Sequence, residues 1–208
     1  MPLIKLKRDN PSLTGAPAPP DTGSPLADLN SPDVEVRWRA ARGIAPEPEF
    51  VAPLAKALEG ETVPRVREAI ITKLMRIGDQ ASVQALLPYL GAQDAGIRIA
   101  ALDALQTMPD ATSPFMTSLL SDADSDVRIL ATELVRNMPV DQATSLLAAL
   151  LDRETHPNVC GAAVEVLTEL GTPDALPALQ ACAVRFADTP FLPFAISHAI
   201  ARISRAGS

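Results

Sequence analysis

His156 and Cys160 stand four residues apart, a spacing that puts two side chains on one helix face. With Glu154 just before them and Cys182 further on, they are the chain's nearest approach to a zinc-ligand set. Imidazole, thiolate and carboxylate are the right groups, but this spacing matches no standard site. The simpler reading packs Cys160 as a small apolar residue and has His156 cap a helix beside Pro157. No metal and no cofactor are expected. A second chemical pattern is a recurring arginine, at Arg37, Arg67, Arg98 and Arg128. A row of guanidiniums could hold anions. It could equally form a structural ladder that bonds neighbouring loops and the aspartates Asp33, Asp94 and Asp124, and that is the role expected. No Gly-rich phosphate loop, nucleophile elbow or catalytic His/Asp set is present, so the expected catalytic residues are none.

The arginines are positioned by a repeat. The anchors 37, 67, 98, 128 and a fifth at Cys160 are spaced 30, 31, 30 and 32 residues apart. The residue before each anchor is Val36, Val66, Ile97, Val127 or Val159. Three residues after it stand Ala40, Ile70, Ala101, Ala131 and Ala163. Seven after it stand Ile44, Leu74, Leu105, Val135 and Leu167. These offsets fall on one helical stripe, and the small residues in the middle column let helices approach closely. Asp33, Asp94 and Asp124 occupy N-cap positions. Gly78 and Gly171 are expected to end helices through left-handed caps, and Pro109 and Pro139 by being unable to continue them. A further helix follows each stop, over residues 49–58, 80–90, 112–120, 141–151 and 173–185. A last segment near 190–204, carrying Phe191 and Phe194, reads as a capping helix.

Composition agrees with helices packed on helices. The 208 residues are 47% hydrophobic but only 3% aromatic, so Ala, Leu, Val and Ile must fill the core. Two cysteines cannot staple a fold of this size. Residues 1–25 hold six of the 20 prolines and read as a disordered tail. Within it, residues 2–8 mix apolar and basic side chains and form a candidate docking peptide. No apolar run suits a signal peptide or a membrane span, so a cytoplasmic protein without membrane contact is expected. The net charge of −7 argues against coating nucleic acid.

The pattern Asp33…Val36-Arg37, Asp94…Ile97-Arg98 and Asp124…Val127-Arg128, each followed by an Ala-rich face, resembles the short HEAT repeat of the phycobilisome-lyase type. The resemblance covers about residues 26–190. It departs at Val63, and again at His156 and Cys160, where the pattern has Asp and Arg. It implies an all-α superhelix, a right-handed α-solenoid of about five to six repeats over residues 26–208. It also implies a binding role, as an adaptor or scaffold for a protein partner, with tetrapyrrole or bilin handling as the alternative. HEAT-type di-iron hydroxylases carry repeated His-Glu pairs. Here His156 and His198 are followed by Pro157 and Ala199. HEAT-type DNA glycosylases need a basic, aromatic-lined groove, which an acidic chain with one Trp does not offer.

A solenoid binds through an extended surface made by one helix of each repeat. Opposite the buried stripe, the repeat helices carry Trp38, Glu68, Ile99 and Ile129 one residue after the anchor. Five after it stand Arg42, Thr72, Asp103, Glu133 and Glu165, and Arg136 lies at the eighth position of its repeat. This is the expected partner-binding face. Its charge runs from basic to acidic: residues 26–76 are net neutral and residues 77–208 carry −8.

Overall fold

The computed structural model describes residues 24–206, and within them every regular element is helical. The expected tail lies outside the described residues up to position 23, and Pro25 already opens the first helix. The helices are α1 (Pro25–Asp28), α2 (Val34–Gly43), α3 (Val51–Gly60), α4 (Pro64–Ile77), α5 (Gln80–Leu86), α6 (Ala95–Gln106) and α7 (Pro109–Thr112). They continue as α8 (Met116–Leu119), α9 (Ser125–Val135), α10 (Val140–Arg153), α11 (Pro157–Leu170), α12 (Leu176–Arg185) and α13 (Leu192–Ala206).

The helices form two layers. The anchor-bearing helices α2, α4, α6, α9 and α11 pack each on the next, and α13 closes the row. The second layer backs them pairwise: α3 on α4, α5 on α6, α8 on α9, α10 on α11 and α12 on α13. This is a solenoid, in which each repeat buries its apolar stripe on its neighbours.

The columns read from the sequence are the core. Ala101, Ala131, Ala163, Leu74, Leu105, Val135 and Leu167 are all 0% exposed. Val36 is only half-buried, because among the described residues just the short α1 precedes its helix.

The backing layer is less regular than its apolar spacing suggests. The expected helix over 112–120 is split into α7, a 3-10 turn at Ser113–Phe115 and α8. The expected helix over 80–90 ends at Leu86 and continues as a 3-10 turn, Leu87–Gly91. Pro114 and Pro88 stand at the starts of those turns, where a missing N–H breaks the α-helical ladder. Helix ends also differ in mechanism. Gly78 takes the left-handed cap, with φ 70°. Gly171 does not: its φ is −62° and its backbone is extended. It is constrained by space instead, since a Cβ there would lie 2.5 Å from the Leu167 carbonyl oxygen and 3.0 Å from Ile203 Cδ1.

The C-terminal helix seals the row with Leu192, Ile196, Ala199 and Ile203, all buried. Its phenylalanines do not take part in that seal. Phe191 and Phe194 are exposed, Phe194 by 80%.

Candidate partner-binding face

The arginine row is a ladder built on one register. Arg37, Arg67, Arg98 and Arg128 each donate to the carbonyl six residues earlier, on Ser31, Glu61, Ala92 and Asp122. Cys160 keeps the register, with its Sγ 3.9 Å from the Glu154 carbonyl oxygen. Asp33, Asp94 and Asp124 cap their helices by accepting from the backbone N–H two residues on. Of these aspartates, Asp94 also takes an arginine of the preceding repeat, Arg67, at 2.7 Å.

Two repeats lack the capping aspartate, and a buried glutamate replaces it. Glu61 accepts from the backbone N–H groups of Thr62 and Val63 and pairs with Arg37 of the preceding repeat. Glu154 does the same for Thr155 and His156, and pairs with Arg128. Burial opposes ionisation of both. The arginine partner and the backbone donors outweigh it and hold both carboxyls below the usual glutamate range. His156 stands at the N-cap of α11, but its side chain makes no capping bond, because Glu154 already fills that role. Sequence reasoning missed both glutamates. The signal was available: each lies two residues before the cap position that lacks Asp.

The cysteine pair is buried. Cys160 and Cys182 are free and 0% exposed. Contact with Cys182, and then burial, push the Cys160 thiol up. Among the described residues no group of three or more His, Cys, Asp or Glu is placed to hold a metal ion. A thiol reagent such as DTNB is expected to leave both cysteines unlabelled in the native protein and to label both in denaturant. Rapid native labelling would show that the α11–α12 contact opens.

The expected partner face lies on the anchor-helix layer, and none of its residues is fully buried. Arg42, Glu68, Ile99, Asp103 and Glu165 are exposed, while Trp38, Thr72, Ile129, Glu133 and Arg136 are half-buried. Ile99 is 57% exposed, an unusual position for a large apolar side chain. Ile129 packs partly against the core, which leaves it little free surface. Arg136 is tied down: it bridges Glu133 on its own helix and Glu169 on the next. The two carboxylates neutralise Arg136 and leave the trio with a net charge of −1, so Arg136 offers a partner less than its sequence position suggests.

Two larger depressions lie on this layer. One, about 430 Å³, sits between α2 and α4 around Trp38, Arg42, Lys73 and Arg76. Trp38 is flanked by Arg42 and Arg65, whose guanidinium carbons stand 4.7 and 5.6 Å from the ring centre. The other, about 620 Å³, lies between α11 and α13, lined by Gly161, Glu165, Glu169, Phe191, Phe194 and His198. Lys73 was also missed from the sequence. Its column otherwise holds Gly43, Ala104, Leu134 and Val166, so one charged residue among apolar ones was the visible signal.

No helix among the described residues is long and apolar enough to cross a membrane. Comparison with curated proteins gives no match. Among solved structures the chain is similar to human deoxyhypusine hydroxylase, with 17% identity over 87% of this chain and 83% of that one, TM-score 0.45. It is similar to the phycocyanin lyase complex of CpcE and CpcF from Nostoc sp., with 16% identity over 97% of this chain and 100% of that one, TM-score 0.39. It is also similar to a designed armadillo repeat protein, with 16% identity over 86% of this chain and 98% of that one, TM-score 0.43. The family model described as HEAT repeats matches residues 24–106 and 113–189. With the stacked helix pairs and the arginine register, that match settles the family: the chain belongs to the HEAT-repeat proteins.

Proposed function

We propose that this HEAT-repeat chain is a non-catalytic adaptor that binds a protein partner across the face of its anchor-bearing helices. The observation that carries the reading is the accessibility and order of one column. Arg42, Thr72, Asp103, Glu133 and Glu165 lie on successive helices, none of them buried, and their charge changes from basic to acidic. Such a field orients a bound chain and selects against partners of the wrong polarity. Exposed Ile99 supplies an apolar contact near the middle.

The test places a photo-crosslinking residue at Asp103 and, separately, at Gln84 on the backing layer, where the side chain is also exposed. In native lysate the Asp103 probe is expected to capture one protein that the Gln84 probe does not. The double variant Asp103→Lys/Glu165→Lys is expected to weaken binding of that protein at least about tenfold. Equal capture from both layers would defeat the proposal.

A further inference from the structure

Three cations, Arg42, Lys73 and Arg76, line the depression between α2 and α4, and no carboxylate pairs with them among the described residues. Elsewhere on the anchor-bearing helices four arginines are paired: Arg37 with Glu61, Arg67 with Asp94, Arg128 with Glu154, and Arg136 with Glu133 and Glu169. Arg65 also reaches the depression, but is held by Glu35 at 2.7 Å. Glu68 is the one acidic residue in the lining.

Lys73 is the unusual member. It is only 6% exposed, and its ammonium donates to the Arg42 carbonyl at 3.1 Å. Burial, then Arg76 and Arg42, push its pKa down. A buried ammonium without a counter-charge disfavours the fold, and an incoming anion supplies that charge. Trp38 forms the aromatic wall, with the Arg42 guanidinium carbon 4.7 Å from its ring centre.

We propose that this depression binds an acidic peptide segment of a protein partner, with Arg42, Lys73 and Arg76 meeting its carboxylates and Trp38 its apolar stems. The proposal rests on the anchor-helix layer being the binding face. The lining favours a peptide over a compact anion. The depression holds about 430 Å³ and sets the Trp38 ring beside the three cations, so it suits a carboxylate carried on an apolar stem. A single phosphate has no apolar part to lay against the ring.

Trp38 is the chain's one tryptophan, so its fluorescence reports on this site alone. The probe is a ten-residue blocked peptide of alternating Glu and Ala, with the Gln-Ala peptide and inorganic phosphate as further arms. The Glu peptide is expected to give a saturable change in Trp38 emission that weakens as salt rises. The Gln peptide and phosphate are expected to give none. By calorimetry, Arg42→Gln/Arg76→Gln is expected to weaken the Glu peptide at least about tenfold. Lys73→Met keeps the volume and removes the charge. It is expected to weaken the peptide while leaving the circular dichroism unchanged and the melting temperature equal or higher. Equal binding of the Glu and Gln peptides, no saturable response at millimolar peptide, or a phosphate response matching the peptide's would each overturn the proposal. If the Arg42→Gln/Arg76→Gln variant still captures the partner through Asp103, the adaptor reading stands and this site falls. If capture through Asp103 fails in the unsubstituted chain as well, the adaptor reading falls too.

Discussion

Replacing Glu154 by alanine lowers stability by about 3 kcal/mol or more, the largest effect expected from any surface-adjacent position. The residue is 6% exposed and does three things at once. Its Oε1 accepts from the backbone N–H groups of Thr155 and His156, which lead into α11. The same carboxylate takes Arg128 through two bonds, at 2.8 and 3.1 Å. Arg128 in turn donates to the Asp122 and Ala123 carbonyls, so one carboxylate joins the α9 loop to the α11 loop. Removing it leaves a mostly buried guanidinium without its counter-charge and two backbone donors without an acceptor. In a chain of this size the melting temperature is expected to fall by about 6–12 °C. A fall of under two degrees would show that water replaces the carboxylate. Glutamine at the same place keeps an acceptor and loses the charge, so a smaller fall is expected. Folding depresses the Glu154 pKa, so its contribution is complete above the usual glutamate range and is lost as pH falls through the lower folded value. The acid limb of the stability curve is therefore expected to be shallower in Glu154→Gln.

Leu74→Ala is expected to cost about 2–5 kcal/mol by leaving a cavity. Leu74 is 0% exposed on α4, the helix that packs on α2, α3, α5 and α6. Four neighbours cannot all close on one void, so the loss falls toward the upper part of that range. A solenoid has few contacts between distant repeats, so damage in the second repeat also uncouples the α2–α3 end from the rest. Hydrogen exchange is expected to speed in α2 and α3 while α10 to α13 keep their protection. Uniform loss of protection would show that the stack unfolds as one unit. Since Leu74 and Glu154 stand three repeats apart, the double variant is expected to be additive within about 0.5 kcal/mol.

The buried columns were legible because packing in a repeat is one-dimensional. Every repeat meets the same environment, so Ala, Val and Leu recur at fixed offsets and the pattern reports itself five times over. The arginine register was legible for the same reason, as was the Asp cap that recurs at Asp33, Asp94 and Asp124. What broke the period was harder to read. Glu61 and Glu154 stand outside the aligned block, so the deviation at Val63 and His156 showed that something was missing but not what replaced it. The backing layer, with its prolines at 53, 88, 114 and 177, carries weaker periodicity, and there the expected helix over 112–120 came apart.

By itself the sequence determined the class of fold, the helices that build the anchor layer, and the residues those helices bury. These depend on local spacing and on contacts repeated between neighbours. The tertiary structure alone decided which charges meet. Arg136 lies close to acidic columns in sequence and is neutralised between Glu133 and Glu169. Arg42, Lys73 and Arg76 come from two helices and reach one depression, where none of the three forms an ion pair among the described residues. Charges act across space at distances set by the stacking of helices, and that stacking brings residues about 30 positions apart into contact, far outside any local pattern.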